Sequence, residues 1–506
     1  MKNKLTLIIF CIFLFQSPLI LAQGKNYNWL LGYTTNPSLN KARISFDNNS
    51  YSITSELRKI PFSDTQGNIS DENGDLLMSS NGYFIADATG DTMLNGANIN
   101  PGMCTEDYGT PFGLPMPYAN IILPMPGDTT KYVLIHQTCD YNNPTFMPKT
   151  IYYSIIDMTL NGGLGAVISK NNIISNGVYA VGISACKHAN GRDWWIIALS
   201  DIGTTLYKFL LTKDSLTFQG SQFFALSSNP GQSGQLVFSP DGEKFAYRNA
   251  YNNGTTWFNN LRLFTFDRCA GAFQLDTVFN YNDTLGYGWG IMFSSNSRYL
   301  YFSSTQIIFQ VDTDTSDIGA TFQVISVNDT FLSAPPVFYT NFYLMYLAAN
   351  GKIYTSSTSS VLHLHEMNYP DSSGLACDMQ LHNIYTGHFF IGVPNHPNYY
   401  LGHLVGSPCD TLTSINDPPE HEFRFNVFPN PVMDGHIKIM YLLPQNKSGR
   451  LEIFDINGRR IYEMNLPYWS TMQEVSLPKS ISSGVYNCVI TSGGERGSKK
   501  VVVYRE

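Results

Sequence analysis

Ten histidines in a chain of 506 residues mark the first places to look for chemistry. His363 and His365 stand two apart in "VLHLHEMN", so on a strand both side chains would leave by one face and could share a metal. No carboxylate partner follows at a ligand spacing, and the pattern favours a surface or inter-sheet pair. His388, His396 and His403 flank "VPNHPNYY", where a loop cluster could supply a general acid or base. No tyrosine or carboxylate is paired with them by spacing, which favours a structural role. "DTDTSDIG" offers Asp312 and Asp314 to a cation, but an EF-hand loop needs Gly sixth and Glu twelfth, where this stretch has Asp317 and Gln323. It reads as an acidic turn, as does "SDENGD" from Ser70 to Asp75. No serine sits in a GxSxG elbow, and no cysteine carries a protease signature. Trp194 with Trp195, and Tyr287 with Trp289, could stack on sugar rings, although strand alternation would send one of each pair into a core. These residue types predict no catalytic residue, no bound metal and no cofactor.

The elements that would position such residues repeat. "GDLLMSS" (from Gly74), "KYVLIHQ" (Lys131), "DWWIIALS" (Asp193), "EKFAYRN" (Glu243), "RYLYFSS" (Arg298) and "GKIYTSS" (Gly351) share one recipe, a Gly or charged start followed by apolar and β-branched residues. Most are followed by a companion strand: "YFIAD", "IYYSIID", "LYKFLLT", "LRLFTFD", "IIFQVDT" and "LHLHEMN". One small sheet cannot bury both faces alone, whereas sheets packed around an axis can, so the repeat predicts an all-β chain built on a β-propeller. Turns such as "SPDG" and "AANG" fit its hairpins. Six units, plus "NWLLGYTT" at Asn28 and "FIGVPNHPNYYLG" at Phe390, predict seven blades, the last shared by the two chain ends, with six blades as the alternative.

Several of these phrases resemble secreted propeller-like proteins of Bacteroidota. They are Gly113 to His136, Ile151 to Val167, "HANGRDWWIIAL" (His188 to Leu199), "LVFSPDGEKFAY" (Leu236 to Tyr247), "FDRCAGAF" (Phe266 to Phe273) and "GVPNHPNYYLG" (Gly392 to Gly402). The last eighty or so residues alternate strands and turns in the manner of a small Ig-like sandwich. Their phrases resemble the type A C-terminal sorting domain of the type IX secretion system, through Phe428, Pro429, Asn430 and Pro431, then Leu451 to Gly458 with Asp455 and Gly458, then Gly484 and Tyr486, then Lys499 and Lys500. That resemblance implies export across the outer membrane by the secretion machinery and removal of the tail afterwards. Asp91, Asp214, Asp276, Asp283 and Asp410, each followed by Thr or Ser and an apolar residue, resemble the O-glycosylation signal of such bacteria.

The start, "MKNKLTLIIFCIFLFQSPLILAQG", has the layout of a signal peptide over residues 1–22. The expected division is therefore a signal at 1–22, a propeller at 24–408, a linker at 409–424 and a sorting domain at 425–506, with no stable transmembrane anchor. Residues from Arg424 onward hold 11 Lys and Arg against 7 Asp and Glu, a net +4, and the signal holds two Lys. The chain's formal −8 thus leaves a body of −14, which repels a phosphate backbone and argues against nucleic acid. Seven cysteines remain beyond the signal, without a CxxC pair, and an oxidising destination permits disulfides. Cys104 and Cys139 are the expected pair, because they flank the apolar run and strand of one repeat. Together these features predict a secreted or cell-surface propeller, reached through the periplasm, that binds a protein or glycan. The alternative is a propeller enzyme, a polysaccharide lyase or hydrolase or a peptidase, with catalytic residues on loops of several blades.

Overall fold

A computed structural model describes residues 24–506 apart from 37, 47–49, 108–111, 143–144, 227–231, 253–256, 282–287, 334–337, 405, 411–423, 429, 431, 434, 444–446, 457, 468–471, 480, 493–494 and 506. The signal segment, most of the linker, Asp283, Tyr287, Pro429 and Pro431 therefore lie outside the described residues.

The repeated phrases are the second strands of successive sheets, and their companions are the third. Both run fully or largely buried because each sheet is covered on both faces; Trp194–Ser200 and Tyr299–Ser303 are buried at every position. Outer strands alternate instead, as Ala272–Tyr281 does, since one of their faces meets solvent. Blade 1 comprises Asn28–Leu30, Lys41–Phe46 and Tyr51–Glu56, and blade 2 comprises Gly67–Ser70, Leu76–Ser80 and Ile85–Asp87. Blade 3 has four strands, Asn120–Pro124, Lys131–Gln137, Thr150–Asp157 and Ala166–Asn176, and blade 4 follows with Tyr179–Lys187, Trp194–Ser200, Thr205–Leu211 and Leu216–Phe223. Blade 5 is Gln232–Phe238, Lys244–Asn252, Trp257–Asp267 and Ala272–Tyr281, and blade 6 is Ile291–Phe293, Tyr299–Ser303, Ile307–Asp312 and Gln323–Val327. Blade 7 closes the series with Met345–Leu347, Ile353–Thr355, Val361–Met367 and Met379–Phe390. Every blade is antiparallel, with its first strand innermost. The body is a seven-bladed β-propeller.

Closure differs from the expectation of a shared blade. Blade 1 is made wholly from the N-terminal side and blade 7 wholly from the C-terminal side. The ring shuts through side chains: Trp29 meets Tyr346 and Tyr354 edge-on at 5.8 and 5.5 Å, and Phe46 packs on Tyr354 at 5.6 Å. An apolar interface of this size replaces a strand donated across the gap.

Inner strands present one open edge toward the axis, where an unpaired peptide group is costly. Side-chain amides answer it. Asn68 Nδ2 donates to the Asn28 carbonyl (2.7 Å), Asn120 Nδ2 to the Ser80 carbonyl (3.2 Å), and Gln137 Nε2 to the Ala180 carbonyl (3.0 Å). Gln235 is the hub. Its Oε1 accepts from the Met345 and Ile291 backbone N–H groups (2.8 and 3.2 Å), while Nε2 donates to the Met345 carbonyl (2.7 Å) and the Tyr118 hydroxyl, so one side chain ties blades 5, 6 and 7. Blade 5 also sends two buried arginines outward: Arg248 Nη1 donates to the Ser303 carbonyl of blade 6 (2.8 Å), and Arg268 Nε to the Lys187 carbonyl of blade 4 (2.9 Å).

Cys104 is bonded to Cys139, and a second bridge, absent from the sequence reading, joins Cys269 to Cys409 across 140 residues of sequence. Cys186, Cys377 and Cys488 are buried thiols.

The tail forms two facing sheets, Arg424–Phe428, His436–Leu442 and Met472–Ser476 in one, and Arg460–Leu466, Gly449–Phe454, Gly484–Ser492 and Glu495–Val503 in the other. Ile437, Ile439, Leu451, Val475, Cys488 and Val501 fill the core between them, giving the Ig-like sandwich.

Replacing Gln235 with Ala strips partners from two backbone N–H groups and a carbonyl at the axis. The expected loss is about 2–5 kcal/mol in denaturant unfolding, and a loss below about 1 kcal/mol would show that the axial amide is not what holds blades 5 to 7 together.

Candidate functional site

The segment that follows blade 7 runs through the axis. The Val393 N–H donates to the Tyr346 hydroxyl (3.1 Å), and Asn395 donates from its backbone to the Gln66 carbonyl (3.2 Å) and from Nδ2 to the Asn120 and Ile183 carbonyls (3.1 and 3.0 Å). Further along, His396 Nε2 lies 2.7 Å from the Asn68 carbonyl oxygen, the Tyr399 hydroxyl donates to the Ile122 carbonyl (2.9 Å), and Asn398 Nδ2 donates to the Pro240 carbonyl (2.8 Å). The partners move from the starts of the inner strands to the loops beyond their ends. The chain therefore threads the channel and leaves at the opposite end, where the Leu404 N–H donates to the Ala189 carbonyl (2.7 Å). Close approach fixes two glycines there: a Cβ on Gly191 would sit 2.4 Å from the His403 nitrogen, and one on Gly242 would sit 2.7 Å from Leu401, and both residues have positive φ. Arg268 Nη2 holds the Gly402 carbonyl (2.5 Å), His403 Nδ1 faces Asp410 Oδ1 (2.8 Å), and the Cys269–Cys409 bridge fastens the exit.

Beside the thread, at its exit end, lies a cavity of about 180 Å³. Its walls come from Tyr27, Trp29, Tyr346 and Tyr400 as rings, Ser184, Ser239, Ser295 and Asn398 as neutral polar groups, and Leu236, Met292 and Leu347 as apolar ones. Among the described residues lining it there is no Asp, Glu, Lys or Arg. His396, also in the wall, is held neutral, because burial pushes it down to about 4.

The sequence-selected residues are scattered rather than gathered. His363 lies 3.2 Å from Ser333 Oγ, while His365 is fully buried, accepts from the His382 N–H (3.0 Å) and is pushed down by burial to about 4. Among the described residues no group of three His, Cys, Asp or Glu could hold a metal ion. His388 bonds Ser55 Oγ at 2.8 Å on the outer strand of blade 7, so it, His396 and His403 occupy three separate places. Asp312 pairs with Arg298 (2.7 Å), and Asp314 pairs with Lys244. Strand alternation failed for the tryptophans: both are buried, Trp194 Nε1 donating to the Pro124 carbonyl (3.2 Å) and Trp195 Nε1 to the Arg268 carbonyl (2.8 Å), because a blade packs against a neighbour on each face. Trp289 packs on Tyr343 at 6.3 Å. Of the cavity residues, sequence reading singled out His396 alone; the one signal for the rest was the cluster of Asn, His and Tyr in "VPNHPNYY".

In the tail, Asn430 Nδ2 donates to the Lys500 carbonyl and Oδ1 accepts from the Val502 N–H, both at 2.9 Å, which ties the start of the unit to its last strand. Asp455 Oδ1 accepts from the Arg459 N–H (2.9 Å) across a turn completed by Gly458 at φ 76°. Gly484 pairs with Val503, the Tyr486 hydroxyl donates to the Ser482 carbonyl (2.8 Å), and Lys499 and Lys500 are exposed; Phe428 ends the first strand.

Residues 426–504 match the family described as a secretion system C-terminal sorting domain. The tail is thus a sorting domain of the type IX system and marks the chain for export to the outer surface or beyond. Among the described residues no helix is long and apolar enough to cross a membrane. None of the curated proteins matches the chain. Similar solved structures include a Lactobacillus plantarum protein (11% identity, 89% of this chain and 99% of that one, TM-score 0.37). Others are AztD from Citrobacter koseri (11%, 74% and 87%, 0.36) and an exo-β-1,3-galactanase from Phanerochaete chrysosporium (11%, 78% and 97%, 0.31). At such scores these likenesses carry no argument about function.

Buried and half-buried imidazoles give the body a pH signature, His136 and His365 being fully enclosed and His396 partly so. His136, pushed down by burial to about 3, and His365 and His396, each to about 4, bind fewer protons folded than unfolded between those values and the ordinary 6.5. Stability is therefore full above pH 6.5 and falls as pH drops through that value, by about 2 kcal/mol per histidine at pH 5. Asp64, pushed up by burial to about 6, offsets part of this below pH 6. Denaturant unfolding at pH 7.5 and 5.0 should show a net loss, and His396→Gln should shrink that loss by about 2 kcal/mol; an unchanged difference would contradict a neutral His396 in the channel.

Proposed function

We propose that the chain is a surface-exported binding propeller, divided as signal (1–22), propeller (24–408), linker (409–424) and sorting domain (425–506). Its cavity takes an uncharged, ring-bearing ligand, a sugar residue of a neutral glycan. The observation that carries this reading is the lining: aromatic rings beside hydroxyl and amide groups, with no charged side chain among the described residues. Aromatic faces receive the apolar side of a sugar ring while neutral donors and acceptors meet its hydroxyls. A ring-sized ligand suits the volume, since a cavity of ~150 Å³ accommodates benzene. A threaded channel also leaves no open passage along the axis for a long polymer.

The enzymatic alternative has one observation in its favour. At the other end of the thread, Asp64 is pushed up by burial to about 6 and lies 3.3 Å from the Tyr343 hydroxyl, as suits a general acid. A glycoside hydrolase needs a second carboxylate across the bond.

Two experiments test these readings. Titration of a tail-free form against neutral and uronic oligosaccharides should show binding of the neutral set, weakened at least tenfold by Ser184→Leu, which fills the cavity, and unaffected by Asp64→Asn. Preference for the acidic set would refute the neutral-ligand reading, and turnover abolished by Asp64→Asn would establish the enzyme instead. In the native host, deletion of residues 425–506 should leave a folded body held in the periplasm, because thread and closing bridge end at Cys409; surface display of the truncated chain would show that the tail does not direct export.

A further inference from the structure

The exit end of the cavity is covered by the tail. Met440 and Met472 stand opposite each other in the first tail sheet and both line the cavity. Ile437, Ile439 and Tyr441 point into the sandwich, so strand alternation turns Met440 outward, toward the propeller. A polar contact sits on the rim: Gln473 hydrogen-bonds the Asp371 carboxylate, which also accepts from Ser295 Oγ (2.7 Å) and the Asn296 N–H (2.8 Å). Ser295 itself lines the cavity.

We propose that the sorting domain is also the lid of the axial cavity, and that the cavity becomes accessible only when the tail is lifted or removed after export. Two chemical features suit a temporary seal. Methionine side chains are unbranched and polarizable, fill an irregular apolar mouth, and bring no ionised group into it. The contacts described, two thioethers and the Gln473–Asp371 hydrogen bond, are few beside the eighteen buried residues that hold the tail's own core. Lifting the tail therefore costs far less than unfolding it. The consequence is that ligand uptake belongs to the mature surface form, and the periplasmic precursor passes the same glycans without binding them. That consequence rests on the proposed binding function; the closure does not.

Cys186 supplies a reporter, because its buried thiol lines the cavity and makes no disulfide. The full-length chain, the same chain carrying Met440→Ser and Met472→Ser, and the chain cut at a protease site engineered within 411–423 would be treated with N-ethylmaleimide at one fixed pH. Modification would be located by peptide mapping. Cys377, buried in blade 7 and not among the residues lining the cavity, serves as the control for global opening. The expected result is at least a tenfold faster modification of Cys186 in the double variant and the cut chain, with Cys377 unchanged. Equal Cys186 rates in all three forms would overturn the lid, as would a rise at Cys377 matching that at Cys186. Titration with methyl β-glucoside separates the two readings. Fast Cys186 labelling without glucoside binding in the open forms leaves the lid standing and removes the glycan reading. Equally tight binding by the intact chain and the open forms removes the lid and keeps the glycan reading.

Discussion

A propeller of this kind depends on satisfying the backbone edges that converge on its axis. Each inner strand has a neighbour on one side only, and water in a filled channel cannot serve the other side. Here the answer is amide side chains whose NH2 groups are spent on main-chain carbonyls: those of Asn68, Asn120, Gln137, Gln235 and Asn395 all donate to backbone oxygens. Their own oxygens are less fully used, since among the described residues Oδ1 of Asn68 and of Asn120 finds no partner. Donors are the scarcer commodity at this axis, and buried arginines from blade 5 supply more of them.

That constraint also shapes the chemistry available. Asn, Gln, Ser and Tyr satisfy a buried edge without bringing an ionised group into a low dielectric, where an unpaired charge would cost several kcal/mol. Where ionisable groups do enter, burial drives them toward neutrality: His396 falls to about 4, Lys187 to about 7 and Asp64 rises to about 6. An axis assembled under this rule presents shape, aromatic rings and neutral hydrogen-bonding groups.

The thread links the two parts of the molecule. Because Gly392 to Leu404 crosses the channel, the chain emerges at the cavity's end of the propeller, and the bridge from Cys269 to Cys409 fixes that exit before the tail begins. The sorting domain is therefore delivered to the face on which Met440 and Met472 meet the cavity. Its motif residues serve its own fold first. Asn430 clamps the last strand and Asp455 closes a turn, while Lys499 and Lys500 are exposed.

Much of this was legible in the sequence. The second and third strands of six blades stood out because burial on both faces demands continuous apolar runs, and turn residues marked their ends. The tail was readable as a sandwich of alternating strands, and its phrases carried the sorting resemblance. Inner strands of three to nine residues gave no pattern of their own, and blade 1 lacked the repeated phrase. The paired burial of Trp194 and Trp195, the bridge between cysteines 140 residues apart and the cavity itself were decided by tertiary structure alone. Periodicity reports which faces of an element are covered, and by that route residue order determined the class of fold and the existence of a separate tail. A site formed where a thirteen-residue thread passes the inner strands of several blades depends on distances between residues hundreds of positions apart, and local sequence carries no record of them.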